Sequence, residues 1–256
     1  MFSRLIITSI FLLPVYVHAQ FTPPLSTDRP DQTETPYVVP LHLFQIETGI
    51  VMQIDKPIED VSVTTNKFAT SLLRYGLVEG IELRLSGAYL QEQIQYAGFT
   101  ENNSGLEGFN LGAKFHLSDE EGIMPQTGII ASVIIPLGDK YFTGDEFVPG
   151  FTFAAEHTLT NWASISYNLG ANVRKNQNSL YRYSLAVGFQ PLKKIGIFAE
   201  IFGIMKKTST PAHVINFGMT YLVIRNIQLD TAYGLAITDI AADSFFSFGL
   251  SWRIPK

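Results

Sequence analysis

Apolar and polar residues alternate with a period of two along most of the chain. In the last segment Phe246, Phe248, Leu250, Trp252 and Ile254 fall on one side, and Ser247, Gly249, Ser251 and Arg253 on the other. That period belongs to an extended strand, in which successive side chains point to opposite faces. The same alternation recurs over 44–52, 109–117, 165–173, 181–189, 215–223 and 227–237. Taken with the intervening turn residues, it predicts strands near 41–53, 67–77, 80–94, 107–117, 126–137, 150–160, 162–174, 180–191, 194–206, 213–224, 226–238 and 244–254.

The two faces differ in an informative way. The polar face is rich in Gly, Ala and Ser as well as charges, as suits a crowded inner wall. The apolar face is large, aromatic and continuous from strand to strand. Left in water it would exceed any patch a soluble monomer tolerates, so lipid is its natural cover. The fold class expected is therefore all-β: a transmembrane, antiparallel, up-and-down β-barrel of about twelve strands, an even number as in single-chain bacterial barrels. A soluble all-β domain with both faces covered is the competing reading. Connections alternate between short (77–80, 159–162, 191–194, 224–226) and longer polar ones (97–108, 138–149, 175–179, 206–212, 238–244), with 118–126 the exception. Short periplasmic turns and longer outer loops put both termini on the periplasmic side.

The first residues change the picture of where the chain goes. Arg4, an apolar run to Val17 and the small residue Ala19 make a secretory signal peptide over 1–19, too short to serve as a spanning helix. Residues 20–40 are then a periplasmic lead-in, and 41–256 the barrel. Later in the chain no uninterrupted apolar run reaches the ~18 residues of a spanning helix, but a closed barrel satisfies every backbone group between strands and crosses without one. The formal charge is −5, and −6 once Arg4 is removed with 1–19, which argues against a nucleic-acid partner. There is no cysteine, hence no disulfide and no thiolate metal site. No cofactor and no metal are implied.

Ser26-Thr27-Asp28-Arg29-Pro30-Asp31-Gln32-Thr33-Glu34-Thr35-Pro36, followed by Phe44-Gln45-Ile46-Glu47, resembles the opening of the transporter family described as the MetA pathway of phenol degradation. The strand pattern extends the likeness over most of the chain after residue 19. The resemblance implies a Gram-negative outer-membrane barrel, porin-like and grouped with transporters. It does not establish a substrate.

Charges on the predicted inner face are the candidate site: Glu47, Arg74, Glu82, Arg84, Lys114, Glu156, Arg174, Arg182, Glu200, Asp230 and Arg253. They either line an aqueous pore or pair with one another and fill the lumen. Glu200, between Phe198 and Phe202, is expected to be buried. Asp28, Arg29, Asp31 and Glu34 precede the first strand among prolines that prevent regular pairing. They form either a plug at the periplasmic mouth or a solvated lead-in. Acidic stretches at 55–60 and 144–146 read as solvated loops. His116-Leu117-Ser118 offers a histidine and a hydroxyl on one face, the minimum for a lipase-like barrel. That face is the lumen and no third group is evident, so no catalytic residue is expected. The expected function is passive passage of small, hydrophobic or aromatic solutes through a monomer surrounded by outer-membrane lipid and inserted by the barrel assembly machinery. The alternative is a structural or adhesion barrel with a filled lumen.

Overall fold

The computed structural model describes residues 23–175 and 178–254. Thirteen strand segments are found among them: β1 (Phe44–Ile58), β2 (Val61–Val78), β3 (Ile81–Tyr96), β4 (Phe99–Leu106), β5 (Phe109–Ser118), β6 (Gln126–Ile135), β7 (Val148–Thr160), β8 (Ala163–Asn172), β9 (Leu180–Leu192), β10 (Ile195–Lys206), β11 (Ser209–Ile224), β12 (Ile227–Ala236) and β13 (Ser244–Ile254). Neighbours pair antiparallel in chain order, with one exception. The far edge of β3 is shared by β5, opposite Ile81 to Ser86, and β4, opposite Tyr89 to Tyr96. β4 and β5 are thus two halves of one stave, and the wall has twelve. β1 closes the ring on β13, from Phe44↔Ile254 to Ile54↔Ser244. The result is the closed twelve-stranded antiparallel barrel that the alternation predicts.

Closure places the alternating faces. Phe248, Leu250 and Trp252 point outward, 47%, 36% and 37% exposed, while Ser247, Gly249, Ser251 and Arg253 between them point inward. The buried set is correspondingly polar: Gln45, Glu47, Arg74, Glu82, Lys114, Glu200 and Asn216 are all nearly or fully enclosed. This inversion, greasy outside and charged inside, is what a lipid solvent demands. At the mouth where β1 begins and β13 ends, the stacked rings of Trp162 and Phe189 lie 6.0 Å apart, in keeping with an interfacial aromatic girdle.

Several boundaries differ from the sequence expectation, mostly at the opposite, outer mouth. The stretch read as the loop 97–108 is largely β4. It is joined to β3 by a two-residue turn at Ala97 and Gly98, with φ of 46° and 81°. The stretch 55–60, read as an acidic loop, is mainly the end of β1, turning at Glu59 and Asp60. β2 and β11 likewise begin earlier than read, at Val61 and Ser209. Where staves project past the lipid, both faces meet water and the hydrophobic alternation vanishes, so these extensions leave no pattern to read. Arg174, placed on a strand over 162–174, lies past the end of β8 in the following connection. A single turn of helix, α1 (Lys140–Thr143), sits in the connection before β7, capped by Asp139, whose carboxylate accepts from the Tyr141 amide at 2.9 Å. The expected signal peptide over 1–19 lies outside the described residues.

Candidate functional site: a lumen held by its own N-terminal segment

Pro23, Pro24, Pro30, Pro36 and Pro40 keep the segment before β1 from joining the sheet, because each lacks an amide donor. The segment does not trail into solvent. From Leu25 onward it lies inside the barrel, Asp28 to Glu34 included, the stretch expected as either a plug or a solvated lead-in. Thr33 is 1% exposed and Asp28 9%. An irregular backbone at this depth must find its hydrogen-bond partners in side chains. The wall supplies them. Glu47 accepts from the Asp28 amide at 2.9 Å, Glu200 from the Gln32 amide at 3.0 Å, Asn168 from the Glu34 amide at 2.6 Å and Glu82 from the Val39 amide at 2.7 Å. Carbonyls are met in turn. Gln45 donates to Ser26, Lys114 to Thr35 at 2.7 Å and Arg74 to Tyr37 at 3.0 Å. Arg253 donates to Pro23 at 2.6 Å and Pro24 at 3.2 Å.

At the centre lies a buried ion network. Asp28 contacts three cations: Arg74 at 3.2 Å, Arg84 at 2.6 Å and Lys114 at 2.8 Å. Arg74 also reaches Glu47 at 2.8 Å and Glu82 at 2.9 Å. Arg84 holds Glu82 at 2.8 Å and Glu34 at 2.6 Å. Among the described residues Lys114 has one further ion pair, to Glu34 at 3.7 Å, and it stands opposite Glu82 in register. Buried charges survive when each has several partners, and here the segment contributes two of the carboxylates.

A second anchor is a latch. The Arg29 guanidinium lies across the β1–β13 seam, where Gly49 and Gly249 face each other. A Cβ built on Gly249 would come within 2.3 Å of Arg29 Nη2, and one on Gly49 within 2.6 Å, so two bare backbones make the floor for this side chain. Arg29 then bonds Asp230 at 3.1 Å and Thr70 at 3.1 Å. Thr70 shares the inward parity of Leu72 and Arg74, and lies beside an irregularity in β2 at Ala69, whose φ is 47°.

Of the residues expected on the inner face, Glu47, Arg74, Glu82, Arg84 and Lys114 form the network, while Asp230 and Arg253 bind the segment elsewhere. Glu200 is 2% exposed and takes hydrogen bonds from Thr33 at 2.6 Å and Asn216 at 2.9 Å as well as Gln32. Glu156 accepts from the hydroxyls of Tyr37 at 2.9 Å and Ser166 at 2.8 Å. Asp31 is half-buried and joins none of the ion pairs found among the described residues. Arg182 stands apart from the network, nearer the outer mouth. The sequence reading counted charges and so missed neutral partners such as Gln45, Asn168, Tyr37 and the glycine pair. Inward parity alone marks Gln45 and Asn168, but nothing in it says that a backbone waits opposite.

Beyond the segment the lumen opens into a vestibule of about 300 Å³, floored by Gln32 and Glu34 and walled by residues that include Leu72, Ile130, Arg182 and Phe202. His116 and Ser118 do not meet. His116 contacts Gln126 at 3.3 Å and Asp119 at 3.3 Å, and the Ser118 hydroxyl pairs with Thr127 at 2.7 Å.

The family model described as "Putative MetA-pathway of phenol degradation" matches residues 27–254. No curated protein sequence matches. Solved structures share the fold at low identity. The COG4313 outer membrane channel from Pseudomonas putida F1 is 11% identical, with a TM-score of 0.66 over 85% of this chain and 97% of that one. The KdgM porin in complex with disordered oligogalacturonate is 12% identical, with a TM-score of 0.56 over 82% and 99%. The translocator domain of the autotransporter NalP from Neisseria meningitidis is 8% identical, with a TM-score of 0.53 over 83% and 88%. This architecture is thus one found among outer-membrane channels, porins and translocators alike.

Proposed function

The chain belongs to the family described as "Putative MetA-pathway of phenol degradation", and from that membership and the lumen's geometry we propose an outer-membrane channel for small solutes, closed by its own N-terminal segment. The supporting observation is the division of the lumen: an outer vestibule of about 300 Å³ ends on a floor made by Gln32 and Glu34 of a segment tied in without a covalent link. Passage is passive and requires that segment to shift. In this reading residues 1–19 direct export and are removed, residues 20–40 act as the closure, and the barrel assembly machinery inserts a single copy. The inner-face charges then serve the closed state as anchors and the open state as pore lining. No catalytic role is assigned, since His116 and Ser118 bond elsewhere.

A second reading, a structural barrel permanently filled, draws support from the number of anchors. Conductance in planar bilayers separates the two. Deleting residues 21–36 is expected to raise single-channel conductance well above that of the intact chain. Identical traces before and after deletion would discard the closure.

A further inference from the structure

The vestibule wall is uneven in a way that specifies a ligand. Most lumen-facing positions carry small or polar side chains, yet Phe202 faces inward on β10 and its ring packs on that of Phe245 from β13, centroids 6.3 Å apart at 53°. Leu72 and Ile130 extend the apolar surface from other staves. One step nearer the outer mouth stands Arg182. Its register partner on β10 is Ile204, and on β8 it is Gly170, which adds no side chain of its own beside it. Among the described residues Arg182 forms no ion pair: the nearest floor carboxylate, Glu34, is taken by Arg84 at 2.6 Å.

From this juxtaposition we infer that the vestibule binds a small amphipathic anion, its flat apolar body against Phe202, which Phe245 backs, and its carboxylate on Arg182. A guanidinium presents parallel N–H donors that match a carboxylate and that a neutral analogue cannot use fully. An aromatic wall gives such a body contact area at little entropic cost. A cavity of this size is at the lower end of those that enclose small ligands. The inference rests on the channel reading and refines it by naming the solute class.

Benzoate is the probe, with benzyl alcohol as its neutral counterpart, titrated calorimetrically against the full chain in detergent. Benzoate is expected to bind tighter than benzyl alcohol. R182Q should weaken benzoate by about ten- to hundredfold, the scale of a lost charge-assisted pair, and weaken benzyl alcohol far less. R182K should recover part of the loss, and F202A should weaken both ligands. Equal affinities for the two ligands in the native chain, no binding of benzoate, or benzoate binding untouched by R182Q would each overturn the assignment. Because calorimetry needs no conduction, a failure here leaves the conductance test standing, and a silent bilayer leaves the binding result standing.

Discussion

The Asp28 carboxylate is the point at which the closure is most open to perturbation, and D28N isolates its charge while keeping its shape. Arg74 and Arg84 each retain two other carboxylates after the change. Lys114 keeps no close ion pair: Glu34 lies at 3.7 Å, and Glu82, opposite it in register, is held by Arg74 and Arg84. The penalty is therefore set mainly by one stranded, fully buried ammonium. Removing one partner of a buried pair costs about 3–5 kcal/mol, and the surviving bond to the Thr35 carbonyl argues for the lower end. Near 3 kcal/mol, at about 1.4 kcal/mol per decade, the released fraction of the segment rises about a hundredfold. The absence of native cysteine makes this measurable. Thr33, almost wholly enclosed, is replaced in T33C, and its labelling by a membrane-impermeant maleimide reports the fraction of time the segment is out. T33C/D28N is expected to label about a hundredfold faster than T33C, in protein that retains the heat-modifiable mobility of a folded barrel. Adding K114M removes the stranded cation and should reverse most of the gain. Labelling at the same rate with and without D28N would refute the claim that this network holds the segment.

Two further outcomes follow from the wall. G249A places a methyl group where the Arg29 guanidinium now lies, so that group must shift and its bond to Asp230 is weakened; against a charge-assisted bond worth about 1.5–3 kcal/mol, this should speed T33C labelling by up to about tenfold, without loss of the barrel. An unchanged labelling rate would mean that the bare glycine floor is not what holds Arg29 on Asp230. L250R puts a charge on the outward face near the middle of β13 and should cost about 2–4 kcal/mol, read as a lower folded yield in lipid vesicles; folding as efficient as native would place Leu250 away from the hydrocarbon.

The barrel was legible in the chain because lipid and lumen impose opposite chemistry on alternate residues, and a period of two survives in any strand that separates them. Phe246 to Arg253 alone identify both faces, and the expected parity of Glu47, Arg74, Lys114 and Asp230 follows from the same count. Beyond the lipid that contrast ends, which is why β4 passed for a loop and the end of β1 for an acidic turn. The segment from Asp28 to Glu34 was legible only as a choice, plug or solvated lead-in. Its prolines exclude it from the sheet but do not say where it goes. Only ring closure decided that, by bringing Glu47, Glu82, Asn168, Glu200 and Arg253, from staves far apart in sequence, around one line of unpaired amides and carbonyls. Hydrogen bonds of that kind depend on where the backbone of another segment passes, and no local pattern in the chain encodes a partner more than a hundred residues away.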